Sequence, residues 1–153
     1  MLFRSHGADL FLSIHANSSK NAEANGIETF YLSFASSPDA EAVAARENSA
    51  SEREMHQLPD IIKAIALNNK LDESRDLATM VLDSLVGSLK KTNKDVRSRG
   101  VKKAPFVVLI GAQMPSVLAE ISFLTNKQEL QLDRKSTRLN SSHSQQSRMP
   151  SSA

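Results

Sequence analysis

Two polar residues stand where the chain is otherwise apolar. His15 ends the run Asp9-Leu10-Phe11-Leu12-Ser13-Ile14-His15, and Glu120 interrupts Val117-Leu118-Ala119-Glu120-Ile121-Ser122-Phe123. Both runs read as buried strands that carry one polar side chain. An imidazole or a carboxylate in such a setting is costly unless a hydrogen bond, a counter-charge or a metal compensates it. A metal hydrolase site accounts for both: nitrogen and oxygen donors hold the ion, and a nearby carboxylate moves protons. The plain alternative is a satisfied core histidine, because one His on a strand is not a ligand set. The chain has four histidines. His6 lies in a polar lead-in, His56 in a charged stretch and His143 in a Ser-rich tail, and spacing assigns none of them to His15.

The elements that must position this pair alternate between strand and helix. Residues 9 to 16 and 27 to 34 read as strands, the first apolar at nearly every position and so buried on both faces. Ser37-Pro38-Asp39 has the form of a cap followed by proline at the first helical position, opening a helix to about Asn48. Ala50 to Gln57 is charged and irregular, the form of a mobile insertion. Pro59-Asp60 starts a helix with Ile61, Ile62, Ile65 and Ala66 on one side. From Asp72 the spacing Leu77, Val81, Leu85 and Leu89, with Ala78 and Leu82 beside it, predicts a long amphipathic helix. Lys90 to Gly100 reads as a polar connection, with the Lys102-Lys103 pair as a solvated turn. Phe106 to Ile110 and Ser116 to Phe123 read as two further strands. His15 and Glu120 then fall toward the carboxyl side of a mostly parallel or mixed sheet, where sites of open α/β sheets gather.

Composition narrows the classes. The chain has 153 residues, 40% of them hydrophobic, which suits part of one small domain. There are no cysteines, so any ion must use nitrogen and oxygen donors. After Leu132 the apolar pattern stops, and residues 133 to 153 read as a disordered tail. Residues 133 to 143 resemble a translated sequencing adapter, codon by codon. The formal charge of +2 comes from this tail, through Arg134, Lys135, Arg138 and Arg148 against Asp133. The near-neutral remainder gives no electrostatic case for nucleic acid. No run approaches the length of a membrane span.

Several ordered blocks carry a family resemblance. Gly7-Ala8-Asp9-Leu10-Phe11-Leu12-Ser13-Ile14-His15-Ala16-Asn17 and Gly26-Ile27-Glu28-Thr29-Phe30-Tyr31-Leu32 come first. Ala44-Ala45-Arg46-Glu47-Asn48-Ser49 and Glu73-Ser74-Arg75-Asp76-Leu77-Ala78 follow, then Gly100 to Leu109 and Met114 to Glu120 with Phe123-Leu124-Thr125-Asn126. Together they resemble the zinc-dependent N-acetylmuramoyl-L-alanine amidases, which cut peptide stems from the glycan of the cell wall. The resemblance implies a three-layer α/β/α fold, incomplete here at both ends, with residues 1–132 as part of the catalytic domain. It implies Zn2+ as cofactor, His15 as a metal ligand, Glu120 as general base, peptidoglycan as partner and a place in the cell envelope, periplasmic or extracellular. Asn17 and Glu28 belong to matched blocks, either near substrate or in ordinary structural use. The family's other two ligands, a His and a Glu, would lie upstream of Met1, which implies a fragment that is inactive as it stands. The other class of function is a non-catalytic wall-binding or regulatory module on the same scaffold. Keeping both His15 and Glu120 favours the enzyme; no substrate-binding residue and no regulatory protein is assigned.

Overall fold

The computed structural model describes residues 7–49, 63, 65–66 and 69–131. Four strands form one sheet: β1 (Phe11–Asn17), β2 (Ile27–Leu32), β3 (Ser98–Ala104) and β4 (Ser116–Phe123). Their order is β1-β4-β2-β3. β1 runs parallel to β4 and β2 parallel to β3, while β2 and β4 are antiparallel, so the sheet is mixed. Helix α1 (Pro38–Ser49) packs on one face and α2 (Leu71–Leu89) on the other. This is the expected layered α/β arrangement.

Strand alternation sends successive side chains to opposite faces. On the α1 face Phe30, Leu118 and Ala104 pack with Val43, Ala44 and Phe106, and the Phe30 and Phe106 rings meet edge to face at 5.0 Å. On the other face Val117 packs against Leu77 and Ala78, and Ile27 against Leu82 and Val86. The buried hydroxyl of Thr29 donates to the Ala78 carbonyl at 3.0 Å, which ties α2 to the middle of the sheet. Helix α1 opens as its sequence requires: the Ser37 hydroxyl accepts from the Ala40 amide, with Pro38 in the first turn.

Three expectations need correction. First, the polar connection expected over Lys90 to Gly100 ends sooner, because a strand starts at Ser98, and Lys102 and Lys103 lie on that strand rather than in a solvated turn. A register shift around Gly100 (φ +86) brings Arg99 and Lys102 together on the side of Glu28, and that pairing compensates the polarity of the segment. Second, Phe106 to Ile110 is not a strand but contains a 3-10 turn at Val107–Leu109. Pro105 lacks a donor for a ladder, and Asn48 takes over by donating to the Pro105 carbonyl and accepting from the Val107 amide. Third, β1 is buried on one face only. It lies at the sheet edge, and Leu10, Leu12 and Ile14 are 57%, 45% and 63% exposed on the face that nothing covers among the described residues.

Of the helix expected from Pro59, Lys63, Ile65 and Ala66 are helical and Ile65 joins the α1-side core; the remainder, the stretch from Ala50 to Gln57, and residues 132–153 lie outside the described residues. A short helical segment at 127–131 follows β4, with the Asn126 side chain accepting from the Gln128 and Glu129 amides. Glu129 then accepts from the Gly26 amide and the Phe123 amide, locking the start of β2 to the end of β4. Gly26 has φ +108, and a Cβ there would sit 2.4 Å from the Arg97 carbonyl oxygen. Gly26→Ala should therefore destabilise the domain by about 2 kcal/mol through strain and displacement of β3, measured by denaturant unfolding.

Candidate metal centre and the cleft beside it

Register builds the site. His15 on β1 is the Cα partner of Glu120 on β4, and Glu120 is in turn the partner of Glu28 on β2. Residues directly opposite one another point to the same face, so the three side chains form a row across three strands. That face is the one covered by α1, whose last turn carries Arg46 and Glu47 over the row. The His15 Nδ1 lies 2.5 Å from a Glu47 carboxylate oxygen, and its Nε2 lies 2.8 Å from the Ser13 hydroxyl. A carboxylate can only accept, so Nδ1 carries the hydrogen of that contact. Each of His15, Glu47 and Glu120 offers one donor atom, and the three atoms lie within 4.8 Å of one another.

Glu120 is fully buried, and neither of its carboxylate oxygens has a hydrogen-bond partner among the described residues. Burial raises its pKa to about 8, helped by the negative charges of Glu47 and Glu28 and opposed by Arg46. A buried acceptor pair with no donor is rare in a native interior and asks for something to satisfy it. One nitrogen and two carboxylate donors around such a space fit a hard or borderline dication. His15 and Glu47 are partly exposed, which leaves an approach from solvent.

Glu28 has the opposite environment. It is 1% exposed, yet it accepts from Asn17 at 2.8 Å, Arg99 at 3.0 Å and Lys102 at 2.5 Å. Two cations and an amide compensate its burial, so its use is structural and electrostatic. Asn17 joins this network to α1, because its side-chain oxygen accepts from Arg46 at 2.9 Å as well as from the Ser18 amide. Beside the row opens a cleft of about 520 Å³, bordered by Asn17, Glu28, Arg46, Arg99, Lys102 and Phe123.

The structure thus brings together the two residues that the sequence singled out, although they are separated by about a hundred positions. It adds Glu47, to which the sequence reading gave no role. The available signal was its place in the matched block from Ala44 to Ser49, on a helix whose capped start fixes its rotation.

The sequence profile of the N-acetylmuramoyl-L-alanine amidase family matches residues 1–147. The N-acetylmuramoyl-L-alanine amidase AmiA of Escherichia coli (strain K12) is 37% identical over 136 residues, covering 83% of this chain and 45% of the relative. The N-acetylmuramoyl-L-alanine amidase LytC of Bacillus subtilis (strain 168) is 34% identical over 119 residues, covering 78% of this chain and 16% of that protein. Among solved structures, an N-acetylmuramoyl-L-alanine amidase from Clostridium difficile 630 superposes with a TM-score of 0.53 at 27% identity, covering 85% of this chain and 49% of the other. The chain therefore spans less than half the length of these relatives. Matched along nearly its whole length by the profile, the chain belongs to the N-acetylmuramoyl-L-alanine amidase family.

Proposed function

We propose that the protein hydrolyses the amide between N-acetylmuramic acid and L-alanine in peptidoglycan, with zinc as its cofactor, and that it works in the cell envelope, periplasmic or extracellular. Residues 1–132 are the part devoted to this chemistry. The observation that carries the reading is the meeting of His15, Glu47 and Glu120 around a space where a buried carboxylate has no partner. His15 and Glu47 would be among the residues that hold the ion. When bound, a dication there polarises the scissile carbonyl and makes water a stronger acid.

The chain's own residues do the rest. Glu120 takes a proton from the attacking water as oxygen adds to the carbonyl carbon, then delivers it to the amide nitrogen as the carbon–nitrogen bond breaks. The products are a carboxylic acid on the sugar side and a free amine on the peptide. In support of this role, Glu120 lies on β4 with Leu118 and Phe30 buried on the same face. Its apolar setting raises its basicity, while the positive charge of the bound ion keeps the ionised form accessible. Ser13 steadies the ring of His15 from the side away from Glu47.

The test is release of new amino termini from purified cell wall by the full-length protein. Release should stop on chelation and return with zinc. Release that persists after complete metal removal contradicts the reading. Glu47→Ala should weaken zinc binding by roughly 10- to 100-fold, measured by calorimetry, because the ion loses the oxygen donor nearest His15.

A further inference from the structure

The proton chemistry above leaves the adjoining cleft unused. Arg46 from α1, Arg97 before β3, and Arg99 and Lys102 from β3 border it, with Lys20 at its rim. Glu23, Glu28 and Asp39 are the acidic residues of the same wall, so cations are in excess. The arrangement is built from within. The buried carboxylate of Glu28 holds Arg99 and Lys102, the Arg99 guanidinium stacks over the Phe123 ring at 5.0 Å, and Asn17 holds Arg46. Arg97 has no side-chain partner among the described residues and is exposed. Pre-set guanidinium groups with spare donors match a planar anion.

We propose that this cleft binds a free carboxylate of the peptide that leaves as the amine, so that the protein prefers acidic peptide stems to amidated ones. The proposal rests on the amidase reading and adds the part of the substrate that is recognised. Its geometry follows from register. Glu28 is the partner of Glu120 on the next strand, about 5 Å away, and β3 lies one strand spacing of ~4.8 Å further. An extended peptide covers ~3.5 Å per residue. An acidic residue within the first three positions beyond the scissile amide therefore reaches the cations while the amide stays beside Glu120.

The experiment is calorimetric titration of the complete metal-free chain with three probes: an alanyl-glutamate dipeptide, the same dipeptide with both carboxylates amidated, and inorganic phosphate. The acidic dipeptide should bind about tenfold more tightly than its amide, and more tightly than phosphate. Arg97→Gln and Lys20→Gln, both at exposed positions, should each weaken the acidic dipeptide about threefold and leave the amidated one unchanged. Equal binding of the two dipeptides, no binding of either, insensitivity to both substitutions, or tighter binding of phosphate would overturn the proposal. The measurement needs neither zinc nor bond cleavage. Its failure leaves the amidase reading standing, whereas failure of that reading shows in the zinc-dependent release of amino termini.

Discussion

Replacing Glu120 by Gln should cost roughly a hundredfold or more in amide-hydrolysis turnover by the zinc-loaded, full-length protein, while the metal content stays the same. Gln keeps the size and shape of the side chain, so the packing of Leu118, Ala119 and Phe30 around it is retained. It cannot accept and return a proton. The division of labour is what the comparison reads. If His15 and Glu47 hold the ion and Glu120 serves as base, the substitution separates turnover from metal binding. Steady-state release of amino termini, with zinc content measured on the same sample, checks both. Unchanged turnover would assign proton transfer to another group.

The same substitution should change stability in the opposite direction. In the metal-free chain the folded-state pKa of Glu120 is raised from 4.5 to about 8, chiefly by desolvation. Below about pH 4.5 both folded and unfolded states hold the proton, and the group is neutral toward stability. As pH rises from there, the unfolded chain releases its proton and the folded chain does not, so folding is progressively disfavoured until the folded state also ionises near pH 8. At ~1.4 kcal/mol per pH unit, the loss at pH 7 is on the order of 3 kcal/mol. Glu120→Gln removes this dependence. Denaturant unfolding in chelator should show the variant more stable than the parent at pH 7, by on the order of 3 kcal/mol, with the gap closing toward pH 4.5. A gap that does not vary with pH would mean that Glu120 is not held in its neutral form by burial.

The site chemistry was legible in the sequence where a polar residue broke an apolar run. His15 and Glu120 were visible for that reason, and the long stripe on α2 was visible through its period: Leu77, Ala78 and Leu82 are buried, although Leu89 at the helix end is not. What sequence could not show was compensation from a distance. Arg99 reads as part of a polar connection and Lys102 as part of a solvated turn, because Glu28, about seventy positions earlier, gives no local sign that it will be buried against them. Phe106 to Ile110 failed for the opposite reason. A short apolar run fits a strand or a buried turn equally well, and Asn48 on α1 decides it by capping the backbone groups around Pro105. Glu47 sits on a helix with an ordinary charged surface pattern, and only the docking of α1 on the sheet turns it toward His15.

The proposed chemistry requires His15 and Glu47 to be among the ligands of a dication that Glu120 faces without holding. The most direct measurement is the zinc affinity of three proteins by calorimetry in a competing chelator: the parent, His15→Ala and Glu120→Gln. His15→Ala should lose roughly a hundredfold in zinc affinity, and Glu120→Gln should stay within about threefold of the parent. Equal zinc affinity in the parent and His15→Ala would contradict it.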